Sequence, residues 1–135
     1  MPFTFTLTAR AENYLHGRAD IHDTIKRLQT YQEAGANVLY APGLTTKVDI
    51  AAVVSSVDQP VNVLAGLRGL TLTLADLSEL GVKRVSVGGG LARAALNAFL
   101  RAAREMRETG MFTWSETALS SLSEVTAKFD KLPSL

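Results

Sequence analysis

Short apolar runs alternate with longer amphipathic segments along the 135 residues of this chain. The short runs are rich in β-branched and aromatic residues, which favour strands. The longer segments carry apolar residues at helical spacing, which favours helices that pack through one side. Strands are therefore predicted at residues 4–9, 37–41, 60–65 and 83–87. Helices are predicted at residues 21–34, 47–56, 74–80, 91–109 and 116–129. The spacing places Val48 on the apolar side of the second helix, and Leu91 and Phe99 on the core side of the fourth.

Local signals mark where these elements begin and end. Asp20 and Thr73 directly precede predicted helices, and their side chains can cap the first backbone N–H groups. Gly35 and Gly81 follow helices at the position where glycine commonly ends them. Pro42 ends the second strand, because proline cannot continue a central strand. The order is thus β-α-β-α-β-α-β-α followed by a helical tail.

Strands that alternate with helices predict an α/β fold with a parallel sheet and right-handed crossovers. Two architectures fit: an open doubly wound sheet, or half of an eight-stranded βα barrel of the TIM type. The glycine fingerprint of dinucleotide-binding sheets is missing after the first strand, and polar residues gather after strand ends. The pattern therefore favours a half-barrel at residues 3–110 with a helical tail at 111–135, together forming one domain.

Composition excludes several classes of protein. Hydrophobic residues make up 47% of the chain, and the net charge is +1. This balance gives no strong field for nucleic acid or an anionic membrane. Cysteine is absent, which excludes disulfides, thiolate metal sites and a cysteine nucleophile. No apolar run reaches the roughly 18 residues of a membrane span, and the start of the chain does not read as a signal peptide. We expect a cytoplasmic protein without nucleic-acid or membrane partners.

A polar cluster follows the first strand. Arg10 is the main candidate for binding an anionic substrate, because a guanidinium donates in bidentate fashion to a carboxylate or phosphate. An ion pair with Glu12 is the structural alternative, since alternate strand residues share a face. Asn13 and His16 are further substrate-binding candidates, although a lone loop histidine is more often simply exposed.

Later strands supply four more candidates. Asn62 is polar within an apolar strand, so it either faces the barrel interior towards substrate or satisfies the backbone locally. Ser86, Gly88 and Gly89 lie at the end of the last strand, ahead of a helix N-terminus that could hold an anion with backbone N–H groups. Tight packing between strand and helix explains the glycines equally well. No catalytic residue is identified, and no Asp-x-Asp pair that could bind a metal follows any strand.

Four motifs in order carry a resemblance to a known family: residues 7–13, 31–43, 60–64 and 84–94. Together they resemble the isocitrate lyase/phosphoenolpyruvate mutase family, especially short bacterial members described as carboxyvinyl-carboxyphosphonate phosphorylmutase or methylisocitrate lyase-like. The resemblance implies that this chain supplies strands five to eight of the family's barrel. It also implies that Arg10 contacts the carboxylate or phosphonate of substrate, and that Glu12 orients Arg10 or holds a magnesium-bound water.

The resemblance further implies a chemistry. Family members use Mg²⁺ to cleave or rearrange a C–C or P–C bond in small 2-oxo or 2-hydroxy carboxylates through an enolate. Their metal ligands and gating loop lie on strands one to four, so we expect no tight magnesium binding and no turnover from this chain alone. Pro42 stands where the lyase members carry a glutamate, which indicates a divergent subgroup.

Two other functions stay open at this stage. The chain could be a non-enzymatic half-barrel that self-associates through its open sheet edges and the long helix at 91–109. It could also be one chain of a split enzyme. The family's exchange of its eighth helix between subunits also favours a homo-oligomer.

Overall fold

The computed structural model describes residue 3 and residues 5–129, without the side chains of residues 119–124 and 128–129. The chain packs as two compact units, Met1–Gly90 and Leu91–Leu135. The boundary lies at the start of the long helix, whereas we expected the half-barrel to include this helix and end at residue 110. The single-domain organisation stays a prediction.

Both units consist of the predicted elements. The strands are β1 (Thr8–Arg10), β2 (Val38–Tyr40), β3 (Val61–Leu64) and β4 (Arg84–Ser86). The helices are α1 (Ile21–Glu33), α2 (Lys47–Ser55), α3 (Leu74–Glu79), α4 (Gly90–Thr109) and α5 (Trp114–Phe129). A 3₁₀ turn, Asn13–His16, lies within the predicted loop after β1. The largest difference in bounds is at β1, which starts four residues later than predicted.

Side-chain caps fix the start of the first three helices. The Asp20 side chain accepts a hydrogen bond from the Asp23 backbone at 3.0 Å. At the next helix, the hydroxyl of Thr46 caps α2 in the same way. Thr73 and Asp76 bond reciprocally in a capping box at the start of α3. The caps predicted from the sequence at Asp20 and Thr73 are therefore confirmed.

The sheet is parallel throughout, with the strands in chain order β1-β2-β3-β4. A doubly wound sheet reverses its strand order at a switch point, whereas a βα barrel adds each strand beside the last. The α/β prediction with four βα units is confirmed, and the strand order is that of half an eight-stranded barrel.

Alternate strand residues face the helices and form the core. Leu39, Val61 and Val63 are almost fully buried with Leu28 of α1 and Val53 of α2. These strand positions share one face because successive side chains point to opposite sides of a strand. The polar residues that alternate with these core residues therefore lie on the other face of the sheet.

One predicted core position of α2 is wrong. Val48 was expected on the apolar side of the helix, but it is 77% exposed. Ile50 and Val53 are buried instead, and Val54 packs against the same core. Val57, in the loop after the helix, packs against it as well. The buried side of α2 therefore excludes Val48.

The second unit carries a long amphipathic helix. None of the residues of α4 is buried. Leu91 and Phe99, which the sequence placed on a core side, are largely exposed. The prediction that Leu91 and Phe99 lie on a core side is therefore wrong for the residues that the structure describes. Among the described helices, none combines the length and the apolar character that crossing a membrane requires.

Candidate anion-binding site on the polar face of the sheet

Strand register brings four polar or aromatic residues to one level of the sheet. Arg10 pairs with Tyr40, Tyr40 with Asn62, and Asn62 with Arg84. In parallel strands, paired residues point to the same side, opposite to the helix-facing core. We call this side the polar face. Ser86, two residues beyond Arg84, also lies on it.

Arg10 lies at the carboxyl end of β1, half exposed at the edge of the polar face. Its Nη2 atom forms an ion pair with the Glu12 Oε1 atom at 2.6 Å. The guanidinium carbon also lies 4.9 Å from the centre of the Tyr40 ring, within the range of a cation–π contact. The ring and the carboxylate hold the guanidinium in place, while its 49% exposed side chain leaves donors accessible to a ligand.

Glu12 connects Arg10 to the turn that follows. Its Oε2 atom lies 3.5 Å from the Nε2 atom of His16, which is an ion pair only when His16 is protonated. Both Glu12 and His16 are partly exposed, so these contacts are screened by solvent and of modest strength. The predicted alternative to substrate binding, an Arg10–Glu12 ion pair, is present, and the role of either residue towards substrate stays a prediction.

Asn13 is directed away from the polar face. Only 8% of the residue is exposed, and its Nδ2 atom donates to the Asp23 Oδ2 atom at 2.8 Å. The same Asp23 oxygen accepts from the Arg27 Nε atom at 2.7 Å. This hydrogen bond raises the pKa of Arg27. Asn13 therefore anchors the turn to α1, a contact that differs from its predicted role in binding substrate.

Asn62 is 1% exposed and lies in the middle of the polar face. Its Nδ2 atom donates to the Ser86 Oγ atom at 3.0 Å. Its Oδ1 atom is buried and has no hydrogen-bond partner among the described residues. Of the two expectations for this amide, the register places it on the polar face with Ser86. A buried amide oxygen without a donor is rare in folded proteins.

Gly88 and Gly89 follow β4 as predicted. Gly88 has a φ of 51°, a left-handed conformation that glycine adopts without strain. The backbone N–H of Gly90 donates to the Val87 carbonyl at 2.9 Å, which closes the turn. The glycines thus serve a tight turn, and their predicted part in binding an anion stays a prediction.

Tyr40 is the residue of this site that the sequence did not reveal. It ends an apolar run and reads as an ordinary core residue. Its place beside Arg10 depends on the register between β1 and β2, which no local pattern contains. An aromatic residue at the carboxyl end of the strand next to Arg10 is the signal that could have identified it.

A close approach fixes the turn after β1 against the β2–α2 loop. A Cβ atom built on Gly43 would lie 2.8 Å from the Tyr14 Cβ atom, and Gly43 has a φ of 102°. Only glycine fits there. Burial raises the pKa of Tyr14, and the negative charges of Asp49 and Asp20 raise it further. The tyrosine is therefore a neutral packing residue that holds the turn carrying Glu12.

The candidate site offers few ligands for magnesium. Among residue 3 and residues 5–129, no group of three or more His, Asp or Glu side chains gathers closely enough to hold a metal ion. Glu12 is the only carboxylate among the candidate site residues, and it is paired with Arg10. The donor set thus does not fit Mg²⁺, which prefers carboxylate and water oxygens without a competing cation.

Known proteins resemble this chain in sequence and in fold. The sequence pattern of the phosphoenolpyruvate phosphomutase family matches residues 1–107. The chain belongs to this family. An uncharacterised protein of Mycobacterium tuberculosis (strain H37Rv) is 38% identical over 103 residues, which cover 76% of this chain and 39% of that protein. The family resemblance inferred from the four motifs is confirmed.

Two solved structures extend the comparison. A protein of Burkholderia cenocepacia J2315, provisionally named a lyase/mutase, is 64% identical, with a TM-score of 0.85 over 87% of this chain and 43% of that one. Phosphonopyruvate hydrolase in complex with oxalate and Mg²⁺ is 27% identical, with a TM-score of 0.67 over 97% of this chain and 42% of that one. The chain therefore spans less than half the length of these members of the family.

Proposed function

We propose that this chain is the C-terminal half of an enzyme of the phosphoenolpyruvate mutase and isocitrate lyase type and supplies barrel strands five to eight. The family match over residues 1–107 supports this assignment, together with the order of the four motifs. So does the coverage of 43% of the Burkholderia relative. The chemistry of the whole enzyme is magnesium-dependent cleavage or rearrangement of a C–C or P–C bond in a small 2-oxo or 2-hydroxy carboxylate.

The half-barrel's own contribution is to bind the carboxylate or phosphonate of substrate at Arg10. The observation that carries this proposal is the position of Arg10 at the carboxyl end of β1, level with Tyr40 and Asn62 on the polar face. Active sites of βα barrels lie at this end of the strands. A guanidinium has five donors, so Arg10 can keep its bond to Glu12 and still donate to a substrate oxygen.

The neighbours of Arg10 position its guanidinium. The Tyr40 ring lies 4.9 Å from it, and Glu12 pairs with it at 2.6 Å. The hydrogen bond between Asn62 and Ser86 places a second polar group on the same face. Positive charge at Arg10 would stabilise an enolate that develops beside it. Mg²⁺, held by the other half of a complete barrel, would supply further charge stabilisation.

Oxalate is a suitable probe, because the phosphonopyruvate hydrolase relative binds it. We expect the purified chain to bind oxalate weakly but saturably in calorimetry. Arg10→Gln should weaken binding by about tenfold or more, because a hydrogen bond to a charged group contributes about 1.5–3 kcal/mol. Lys83→Gln, which removes an exposed cation before the amino end of β4, should leave the affinity unchanged.

Equal affinities of wild type and Arg10→Gln would contradict the proposed role of Arg10. The same preparation tests the expected lack of turnover. We expect no magnesium-dependent cleavage of oxaloacetate or phosphonopyruvate above a blank, because the metal ligands of the family are expected on the other half. Cleavage that disappears in Arg10→Gln would show that this chain is a complete catalyst and would overturn the half-enzyme assignment.

Self-association is the second part of the proposal. The apolar residues of α4 are exposed, including Leu96 and Phe99. The sheet also ends in two strands, β1 and β4, that each have one neighbour. Edge strands and exposed apolar helix faces are the usual sites of association between chains. We infer that the chain forms a homo-oligomer, with or without the catalytic role.

A further inference from the structure

The two edge strands of the sheet each carry an arginine on the polar face. Arg10 lies on β1 and Arg84 on β4, and the strand register places both in one row with Tyr40 and Asn62 between them. The two inner residues are buried, whereas both arginines are exposed. The row thus has a positive charge at each end, on the two strands that have a single neighbour in the sheet.

The described residues neutralise one of these charges and not the other. Glu12 lies 2.6 Å from Arg10 and balances it. Arg84 has no carboxylate within ion-pair distance in the part of the chain that the structure describes. Ser86 lies on the same face of β4, but it carries no charge and already accepts from Asn62. The polar face therefore has an uncompensated positive charge at the edge where a further strand would join.

A complete barrel would enclose this charge. The polar face points away from the helices, which is the inward side of a βα barrel. The inside of an eight-stranded barrel is only wide enough for the side chains that fill it. An arginine that points there needs a carboxylate close by, because a charge that is removed from water without a partner is costly.

A second copy of this chain would bring a second positive charge. If two half-barrels closed on each other, a two-fold axis would run along the barrel, so Arg84 of one copy would face the same residue of the other at the same height. Like charges placed together across an interface oppose association. Inward-pointing charges on edge strands are also a common means of preventing an edge from pairing with another copy. Arg84 therefore disfavours a barrel made of two identical halves.

We propose that the polar face closes against a different βα half-barrel, one whose inward strand residues place an Asp or Glu beside Arg84. The inference rests on the half-barrel assignment of the proposed function and adds the chemistry of the partner to it. It favours a barrel closed by an acidic half over a barrel closed by a second copy. Self-association is then left to α4 rather than to the edges of the sheet.

An acidic copy of this chain serves as the probe for such a partner. Isotope-labelled Arg84→Glu is mixed with unlabelled wild type, and native mass spectrometry separates mixed pairs from like pairs. Both chains also carry Phe99→Asp, at an exposed position of α4, so that association through this helix adds no random pairs. We expect mixed pairs to outnumber like pairs by about tenfold or more, because Glu and Arg then face each other across the barrel.

Lys83→Glu in the same background is the matched control. It makes the same change of charge one residue earlier. The Lys83 backbone N–H donates to the Val61 carbonyl, so strand alternation places the Lys83 side chain on the side opposite to Arg84. This variant should pair with wild type at random. Both positions are exposed, so neither change is expected to unfold the protein, which circular dichroism checks.

Random mixing of Arg84→Glu with wild type would overturn the proposal, as would an equal preference for mixed pairs with Lys83→Glu. Wild-type pairs that form as tightly as mixed pairs would restore the barrel of two identical halves. Failure here is separable from failure of the oxalate experiment, which is read from Arg10→Gln in its own titration. A chain that binds oxalate through Arg10 but mixes at random would refute the acidic partner alone. Selective mixing without oxalate binding would refute only the substrate role of Arg10.

Discussion

Two buried amides, Asn13 and Asn62, each leave one oxygen without a hydrogen-bond partner among the described residues. Leaving such a group unsatisfied costs on the order of 1–3 kcal/mol. The two differ in surroundings. Asn62 lies on the polar face beside Ser86, and Asn13 lies in the turn after β1 beside Asp23. Each amide therefore stabilises the fold through its NH₂ group, while its buried oxygen destabilises the fold.

Asn62 gives a prediction that separates these two effects. Asn62→Leu keeps a similar volume and removes the unpartnered oxygen, so we expect the free energy of unfolding to rise by about 1 kcal/mol. Oxalate binding should stay as in wild type, because ionised oxalate carries no hydroxyl that could donate to the Asn62 oxygen. Urea denaturation and calorimetry measure the two effects. Ser86→Ala is the control, because it removes the amide's single partner and should lower stability. A large loss of stability in Asn62→Leu would show instead that the amide is satisfied within the fold.

Residue-level expectations from the sequence succeeded where the chemistry was local. Arg10 and Glu12 are two residues apart, and their ion pair follows from that spacing alone. Tyr40 was missed because its contact with Arg10 depends on the register of two strands separated by a whole helix. Asn13 was predicted to bind substrate. Its hydrogen-bond partner Asp23 lies on α1, and only the folded turn brings the two residues together.

At the scale of elements, local signals decided most of the fold. The capping residues Asp20 and Thr73 set the starts of α1 and α3 through hydrogen bonds within four residues. Such contacts form wherever the local sequence permits, so they can be predicted without the tertiary structure. The exposure of Val48 could not be predicted in this way. Apolar residues lie all around α2, and only the packing of the helix on the sheet chooses the buried side.

The capping box of α3 gives a prediction with a defined pH dependence. Hydrogen bonds from the Thr73 side chain and backbone lower the pKa of Asp76 below its ordinary value. A carboxylate with a lowered pKa in the folded state stabilises the fold above its unfolded pKa. That stabilisation is lost as the pH falls through the folded value. We therefore expect Asp76→Asn to be less stable than wild type at neutral pH, with the difference shrinking in acid.

Urea denaturation at pH 7 and at about pH 3 measures this difference. Thr73→Ala removes the reciprocal hydroxyl and should cost about 1 kcal/mol at neutral pH. Glu79→Gln, which changes an exposed carboxylate at the other end of α3, is the control and should not lose stability in this pH-dependent way. A difference between Asp76→Asn and wild type that stays constant with pH would contradict the capping explanation.

At the scale of the whole molecule, the two units differ in what they bury. The hydrophobic core consists of residues between Ala11 and Val82, all within the first unit. In the second unit, α4 has no buried residue. The sequence indicated a long amphipathic helix here, and the structure confirms the helix. What it could not indicate is that the apolar side stays uncovered, because burial depends on partners rather than on periodicity.

The uncovered side of α4 leads to the last prediction. Phe99 lies at the centre of a helical stripe that also contains Ala95, Leu96 and Met106, while Asn97 lies on the charged side. A negative charge within an apolar interface is costly because it loses its hydration. We therefore expect the wild-type chain to self-associate at micromolar concentration, and Phe99→Asp to shift it towards monomer. Asn97→Asp adds the same charge outside the stripe and should associate like wild type.

Sedimentation velocity over a concentration series measures the association of wild type and both variants. A wild-type monomer at every concentration would refute self-association, and equal association of Phe99→Asp and wild type would move the interface from α4 to the open edges of β1 and β4.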